Sequence, residues 1–284
     1  MIFSAFGFAV MATFVKLAGR QGIPLQEIIA ARAAVSLLLS YIDVKRKHIP
    51  LFGHNKPLLL VRGIVGFFTL TGVYYALLHL PLAEATVLQY LHPLFTALLA
   101  LLLLKEQPTF ATLICIVVSL IGLVVMIRPD FVFGELSGNL DLFAVGIAIS
   151  AAFGSGLAYT IVRKLSAHED PSVIVFYFPL VCLPATLLLS AEDFVMPEGW
   201  TWASLLMVGI GTQLGQVCLT RAMQMETASR ATSFSYTQVV FAAIFGIAVF
   251  DELPSGWTIL GAGLIILGAM LNVLWQPSHN TVTR

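Results

Sequence analysis

Residues 84–108, EATVLQYLHPLFTALLALLLLKEQP, lie over residues 230–254, RATSFSYTQVVFAAIFGIAVFDELP, without a gap. Ala85-Thr86 meets Ala231-Thr232, Tyr90 meets Tyr236, Phe95 meets Phe241, and Glu106-x-Pro108 meets Glu252-x-Pro254, all at one offset of 146 positions. The same register runs outward to Gly63/Gly209 on one side and Thr112/Thr258 and Gly122/Gly268 on the other. Shifted by one, Phe6-Gly7, Thr13, Lys16 and Pro24 meet Phe153-Gly154, Thr160, Arg163 and Pro171. Apolar sequence supplies matching alanines by chance, but not Tyr and Glu-x-Pro together, so the chain reads as two copies of one unit.

Composition names the solvent. Hydrophobic residues make up 58% of the 284 positions and charged residues 11%, with a mean hydropathy of +0.93. A soluble domain carries roughly 25% charged residues, so this surface is built for lipid. Apolar runs long enough to cross a bilayer as helix fall at 1–18, 25–42, 57–78, 82–104, 108–127, 140–162, 171–190, 200–220, 228–250 and 255–275. The expected fold is therefore an all-α integral membrane protein of ten transmembrane helices in two five-helix repeats, 1–127 and 140–276, with an inter-repeat loop at 128–139 and a tail at 277–284. The first run has no basic residue ahead of it and no small-x-small site, so it reads as a helix rather than a cleaved signal. With only fifteen residues before Lys16, the reading leaves room for a start upstream of Met1.

Lys and Arg mark the cytoplasmic side. Lys45, Arg46, Lys47, Lys56, Lys105, Arg163, Lys164, Arg221, Arg230 and Arg284 fall in one alternate set of connectors, against Lys16, Arg20 and Arg128 in the other. Both termini are then expected in the cytoplasm of a bacterial inner membrane protein. Because each unit holds an odd number of helices, the second enters upside down, and an inverted repeat of this kind can open one central site to either face.

Phe6-Gly7 and a late Lys in helix one, Arg32 inside helix two, the block from Leu80-Pro81-Leu82-Ala83-Glu84-Ala85-Thr86 to Pro93, and the two Glu-x-Pro endings together resemble the EamA-type members of the drug/metabolite transporter superfamily. The resemblance covers essentially the whole chain. It implies a ten-helix carrier of small metabolites, many such carriers being exporters, with the lipid bilayer and a small-molecule substrate as partners, a second copy of the chain as a candidate partner, and no nucleic acid.

Polar groups at membrane depth are the candidate site. Arg32, eight residues into a helix, must face protein or a water-filled cavity; it meets either an anionic substrate group or an internal partner such as Glu27. Pro93 removes the donor to the Gln89 carbonyl and breaks helix four beside Gln89, Tyr90 and His92. Its mirror in helix nine holds Ser233, Ser235, Tyr236, Thr237 and Gln238, and the two stretches together point to a central cavity. Tyr74 and Tyr75 on helix three and Thr212, Gln213 and Gln216 on helix eight add hydrogen-bonding groups that lipid cannot satisfy. The expected substrate-binding residues are Tyr74, Tyr90, His92, Gln213, Gln216, Tyr236, Gln238 and Arg32, and the coupling candidates are Lys16, Glu84 and His92. Aromatics with amides suit an organic zwitterion or ring system, such as an amino acid or a related compound. Glu106 and Glu252 read instead as helix punctuation.

Trp200, Trp202, Trp257 and Trp275 fall at helix ends as interfacial anchors, and Gly63, Gly66, Gly209, Gly211, Gly215, Gly261, Gly263 and Gly268 as packing positions. Cys115, Cys182 and Cys218 lie singly in apolar spans, so neither metal nor disulfide is expected. No P-loop occurs, no cofactor is expected, and transport would be gradient-driven, with protons one candidate. An intramembrane lipid-modifying enzyme using His92 and Glu84, or a non-transporting structural or regulatory protein, is the alternative; the first lacks a carboxylate or metal cluster, the second leaves the paired polar stretches without a purpose.

Overall fold

A computed structural model describes residues 1–80, 82–127, 141–189, 195–251 and 256–275. Pro81, the connector 128–139, Glu252 to Pro254 and the tail 277–284 lie outside the described residues, as does the side chain of Glu84. Among the described residues all regular structure is helical, with α1 (Ile2–Arg20), α2 (Leu25–Arg46), α3 (Lys56–His79), α4 (Leu82–Gln89), α5 (His92–Leu99), α6 (Phe110–Ile127), α7 (Leu142–Leu165), α8 (Pro171–Leu189), α9 (Trp200–Met225), α10 (Ala228–Ser233), α11 (Thr237–Phe250) and α12 (Gly256–Leu274). Taken through their breaks, α4–α5 and α10–α11 each form one span, which leaves ten helices. Seven are long and apolar enough to cross a membrane, and Phe110–Met126 and Pro171–Leu187 are shorter apolar helices. Phe3, Phe68 and Phe110 are each about 70% exposed, at 74%, 68% and 73%, an arrangement that only lipid tolerates along whole helices.

Local chemistry sets the helix ends. Asn55 caps α3 by accepting from the Leu58 N–H at 3.3 Å, and Asp141 caps α7 by accepting from the Phe143 N–H at 2.9 Å. Pro24 starts α2 in extended conformation, with Glu27 in the first turn and Lys45 and Arg46 in the last, the order that favours the helix dipole. Lys105 and Asp251 close α4–α5 and α10–α11 in the left-handed conformation, at φ of 58° and 54°. They are partners under the sequence offset, so the two copies end their fourth helix in the same way. One irregularity has no sequence forewarning: Ala100–Leu104 winds as a π-helix before Lys105.

The main helix contacts cross between the two halves of the chain. α1 packs on α9, α3 on α7, α2 on α8, and α6 on α12. Small residues let the backbones approach. A Cβ on Gly7 would stand 2.7 Å from the Gly215 nitrogen, and Ser4 donates to the Gly215 carbonyl at 2.8 Å. Gly154, the counterpart of Gly7, approaches Thr69 in the same way, with the Thr69 hydroxyl 2.4 Å from where a Cβ would be.

One end of the bundle is packed shut. Val44, Leu59, Ala100, Val162, Leu165, Ile174, Leu219, Met223 and Ala228 form a buried cluster with Met1 against it. Polar ties rim this end. Glu106 accepts from Arg163 Nε at 2.6 Å and from the Ala228 N–H at 2.9 Å, while Arg163 Nη1 donates to the Met223 carbonyl at 2.6 Å. The expected punctuation role of Glu106 is thus realised across space: its carboxylate meets the first N–H of α10, in the second half, rather than that of the helix following it in sequence. Glu169 accepts from the His54 and Asn55 N–H groups at 2.7 and 2.6 Å.

Candidate functional site

Helix four breaks where Pro93 requires it. α4 stops at Gln89, Tyr90 and Leu91 form a turn, and α5 begins at His92 with Pro93 in its first turn. Helix nine breaks opposite, through a 3₁₀ turn at Phe234–Tyr236 that no proline imposes. The two breaks meet. Tyr236 donates its hydroxyl to the Tyr90 carbonyl at 2.9 Å, and the rings stack with centroids 5.7 Å apart.

Beside the breaks lies a cavity of about 780 Å³. Its wall takes Lys16 from α1, Arg32 from α2, Arg62, Thr69 and Tyr74 from α3, Gln89, Tyr90 and His92 from the broken helix, Ser155 and Tyr159 from α7, Phe178 from α8, Gln216 from α9, and Gln238 and Phe250 from α11. These positions run from the middle of the bundle to the end that carries Lys16 and Phe250. The opposite end is the packed cluster around Leu165, Met223 and Ala228.

Of the residues expected to bind substrate, Arg32, Tyr74, Tyr90, His92, Gln216 and Gln238 stand on this wall together. Gln213 and Tyr236 do not. Gln213 turns to α2, donating to Ser40 Oγ at 2.9 Å and accepting from it at 3.2 Å, so it is a helix–helix tie. Tyr236 is 1% exposed among Val87, Leu123, Val239 and Ile265, and holds the break of helix four from behind. Thr212 is buried with its hydroxyl unpartnered among the described residues, and Tyr75 stacks on His79 at a centroid distance of 4.0 Å, away from the cavity wall. Lys16 lies over the Phe250 ring at 4.4 Å, at the open end.

Arg62 is a wall residue that sequence reasoning passed over. The signal was present: an Arg inside an apolar span, the criterion that picked Arg32. Both guanidinium groups are more than nine-tenths buried, at 7% exposure for Arg32 and 4% for Arg62, and both lie near the Phe178 ring, 5.7 and 5.1 Å from its centroid. Arg62 Nη2 reaches Gln216 Oε1 at 3.5 Å, but among the described residues its Nε and Nη1 have no partner, and neither does Arg32 Nε. The expected internal partner, Glu27, instead accepts from the Val195 N–H at 3.1 Å. A buried polar group left unpaired costs about 1–3 kcal/mol, and more when charged, so the wall holds donors in want of acceptors. His92 adds an Nδ1 without a partner among the described residues and an edge-on contact with Tyr159 at 5.2 Å. Gln89 donates to Ser155 at 3.2 Å.

A polytopic helical membrane protein with a cavity between its halves, largely apolar but carrying a few buried polar and cationic side chains, is the class that fold and site define. The chain belongs to the EamA-like transporter family, which it matches over residues 1–128 and 142–274. It is 34% identical over 270 residues to the pseudopaline exporter CntI of Pseudomonas aeruginosa, covering 95% of this chain and 93% of that one. Other relatives are an S-adenosylmethionine uptake transporter of Rickettsia felis, 30% identical over 76% of this chain and 71% of its own, and a riboflavin transporter of Vibrio cholerae, 28% identical over 70% and 65%. A crystal structure with 20% sequence identity superposes with a TM-score of 0.79 over 96% of both chains, a likeness of fold. These named relatives move small metabolites, some outward and some inward.

Proposed function

We propose that the chain is a secondary transporter that carries a small organic metabolite, an amino acid or related compound, by alternating access between two inverted five-helix repeats. The cavity carries this reading: it is closed at the Met1 end and extends to the other, as one end state of an alternating site would. Exchange of the halves maps the α1–α9 contact onto α7–α3, and leaves α2–α8 and α6–α12 mapped onto themselves. That pairing, with the matched left-handed ends at Lys105 and Asp251, supports an internal two-fold that can trade one open end for the other. The Met1 end carries Lys45, Lys47, Arg163 and Lys164 and is read as cytoplasmic, so the cavity is outward-facing. The pseudopaline exporter among its relatives favours export. Proton coupling belongs to the same proposal, with His92, Glu84 and Lys16 as the groups to carry it.

Counterflow in proteoliposomes, with pooled labelled amino acids and related metabolites, tests it. Saturable exchange that Tyr90→Ala abolishes in a folded protein is the expected result. A well-folded protein that exchanges none of the pool counts against the carrier, and exchange indifferent to a pH gradient removes proton coupling alone.

A further inference from the structure

The proposed transport cavity has a charge pattern that bears on its cargo. Three cations, Lys16, Arg32 and Arg62, stand on its wall, and among the described residues no Asp or Glu does. Arg32 and Arg62 approach the same face of chemistry from two helices, α2 and α3, with Phe178 of α8 beside both. Their Nε and, for Arg62, Nη1 donors are buried without acceptors among the described residues. Tyr74 lies against Arg32, and Gln216 reaches only the far nitrogen of Arg62. A guanidinium is a planar fork that cannot shed its proton to relieve burial. Two such forks in one cavity repel one another, and an anion bound between them offsets that repulsion.

We infer, resting on the transport reading, that Arg32 and Arg62 form an anion subsite and that the cargo is an organic anion. Its carboxylate or phosphate oxygens take the free N–H groups of the two forks, and its apolar or ring portion lies along Phe178, Tyr74 and Tyr90. Charge-assisted, paired N–H···O bonds are the geometry that planar forks select. Repulsion from the two guanidinium groups disfavours cargo whose net charge is positive, such as polyamines, and the subsite specifies further the zwitterion-or-ring expectation drawn from the aromatic and amide residues.

The full-length protein is reconstituted and tested for counterflow with labelled succinate, citrate, glucose 6-phosphate, putrescine and adenosine, and the same five compounds are tested for a rise in melting temperature in detergent. Succinate or citrate, or glucose 6-phosphate, should exchange saturably and raise the melting temperature; which arm responds tells carboxylate from phosphate. Arg62→Gln and Arg32→Gln should each weaken that response about tenfold or more, with Arg62→Lys recovering part of it, and ligand-free melting curves identify any variant that has merely lost its fold. Exchange confined to putrescine or adenosine overturns the inference and leaves the carrier standing. Anion exchange that both Gln variants leave intact overturns the subsite. Silence of all five compounds by both readouts overturns the anion cargo, and the pooled counterflow assay then decides the carrier reading separately.

Discussion

Tyr236 donates its hydroxyl to the main-chain carbonyl of Tyr90, and the two tyrosines stand 146 residues apart, at the offset of the internal repeat. Each comes from the break in its own helix, so the two broken helices are joined through equivalent residues. The bond is one-way: the Tyr90 side chain reaches the cavity wall, while Tyr236 remains in the core. Tyr236→Phe removes the donor and leaves a buried carbonyl unpaired. It should lower unfolding free energy by about 1 kcal/mol, read from denaturation in detergent, while Tyr90→Phe should leave stability nearly unchanged because the acceptor is main chain. Equal losses from both would contradict this geometry.

Glu106 holds the closed end by serving two elements at once, Arg163 on α7 and the first N–H of α10. Its side chain is 16% exposed and that of Arg163 25%, so the pair is sheltered without being dry. Removing the carboxylate leaves a partly buried Arg with only carbonyl partners and an uncapped helix start. Glu106→Ala should cost about 2–3 kcal/mol, and Glu106→Gln less. It should also loosen the seal: Ala100→Cys, fully buried in the native protein, should react slowly with a membrane-impermeant maleimide in an otherwise native background and faster when combined with Glu106→Ala. No difference in labelling would assign Glu106 to stability alone.

The helices were legible in the sequence because apolar runs of membrane length have few other meanings, and the break in helix four because Pro93 removes a particular hydrogen bond. The facing of individual side chains was less legible. In lipid both faces of a helix are apolar, so hydrophobic periodicity no longer tells inside from outside. Gln213 and Gln216 illustrate this: one turn apart on α9, one ties to Ser40 and the other reaches the cavity. Tyr236, expected from its repeat position to bind substrate, is not on the wall: its hydroxyl serves the helix break. Tyr159 and Phe178 had no sequence mark at all, since an aromatic in an apolar span is ordinary. Arg62 has one, an Arg inside an apolar span, but it lies near the start of α3 beside Lys56, where a long side chain can also snorkel to the interface.

At the same closed end, Lys47 bridges Asp43 and Asp170, 3.0 Å from each, and donates to Ser172 at 2.7 Å. Ser172 returns the link, donating its hydroxyl to Asp43 and its N–H to Asp170. Partial burial opposes ionisation of both carboxyls, but the Ser172 and Lys47 hydrogen bonds outweigh it and hold both below the usual carboxylate range. A carboxyl depressed in the folded state adds stability above its unfolded value, near pH 4, and loses it as pH falls through the folded value. Asp170→Asn should therefore melt lower than the native protein at pH 7, and the gap should narrow as the pH is taken below about 4. A gap of constant size across that range would show that the carboxylate charge is not what the site uses.

Gly261 and Gly263 sit two residues apart on α12 and make opposite predictions. A Cβ at Gly261 would stand 2.4 Å from the Gly122 carbonyl oxygen and 2.5 Å from the Met126 Cβ, whereas one at Gly263 meets nothing within 4 Å. The repeat explains why the first position is tight: Gly122 crosses Gly261 on one side, and its counterpart Gly268 crosses Cys115, the counterpart of Gly261, on the other, with the Cys115 carbonyl 3.2 Å from a Gly268 Cβ. Main chain cannot swing aside as a side-chain tip can, so α6 and α12 must move apart to admit one methyl. Gly261→Ala should destabilise by about 1–3 kcal/mol, while Gly263→Ala should be within about 0.5 kcal/mol of native, or slightly more stable through helix propensity. Unfolding of the two variants side by side, under one set of detergent conditions, checks the α6–α12 contact without reference to transport; similar values for both would mean that the two helices do not cross at Gly261.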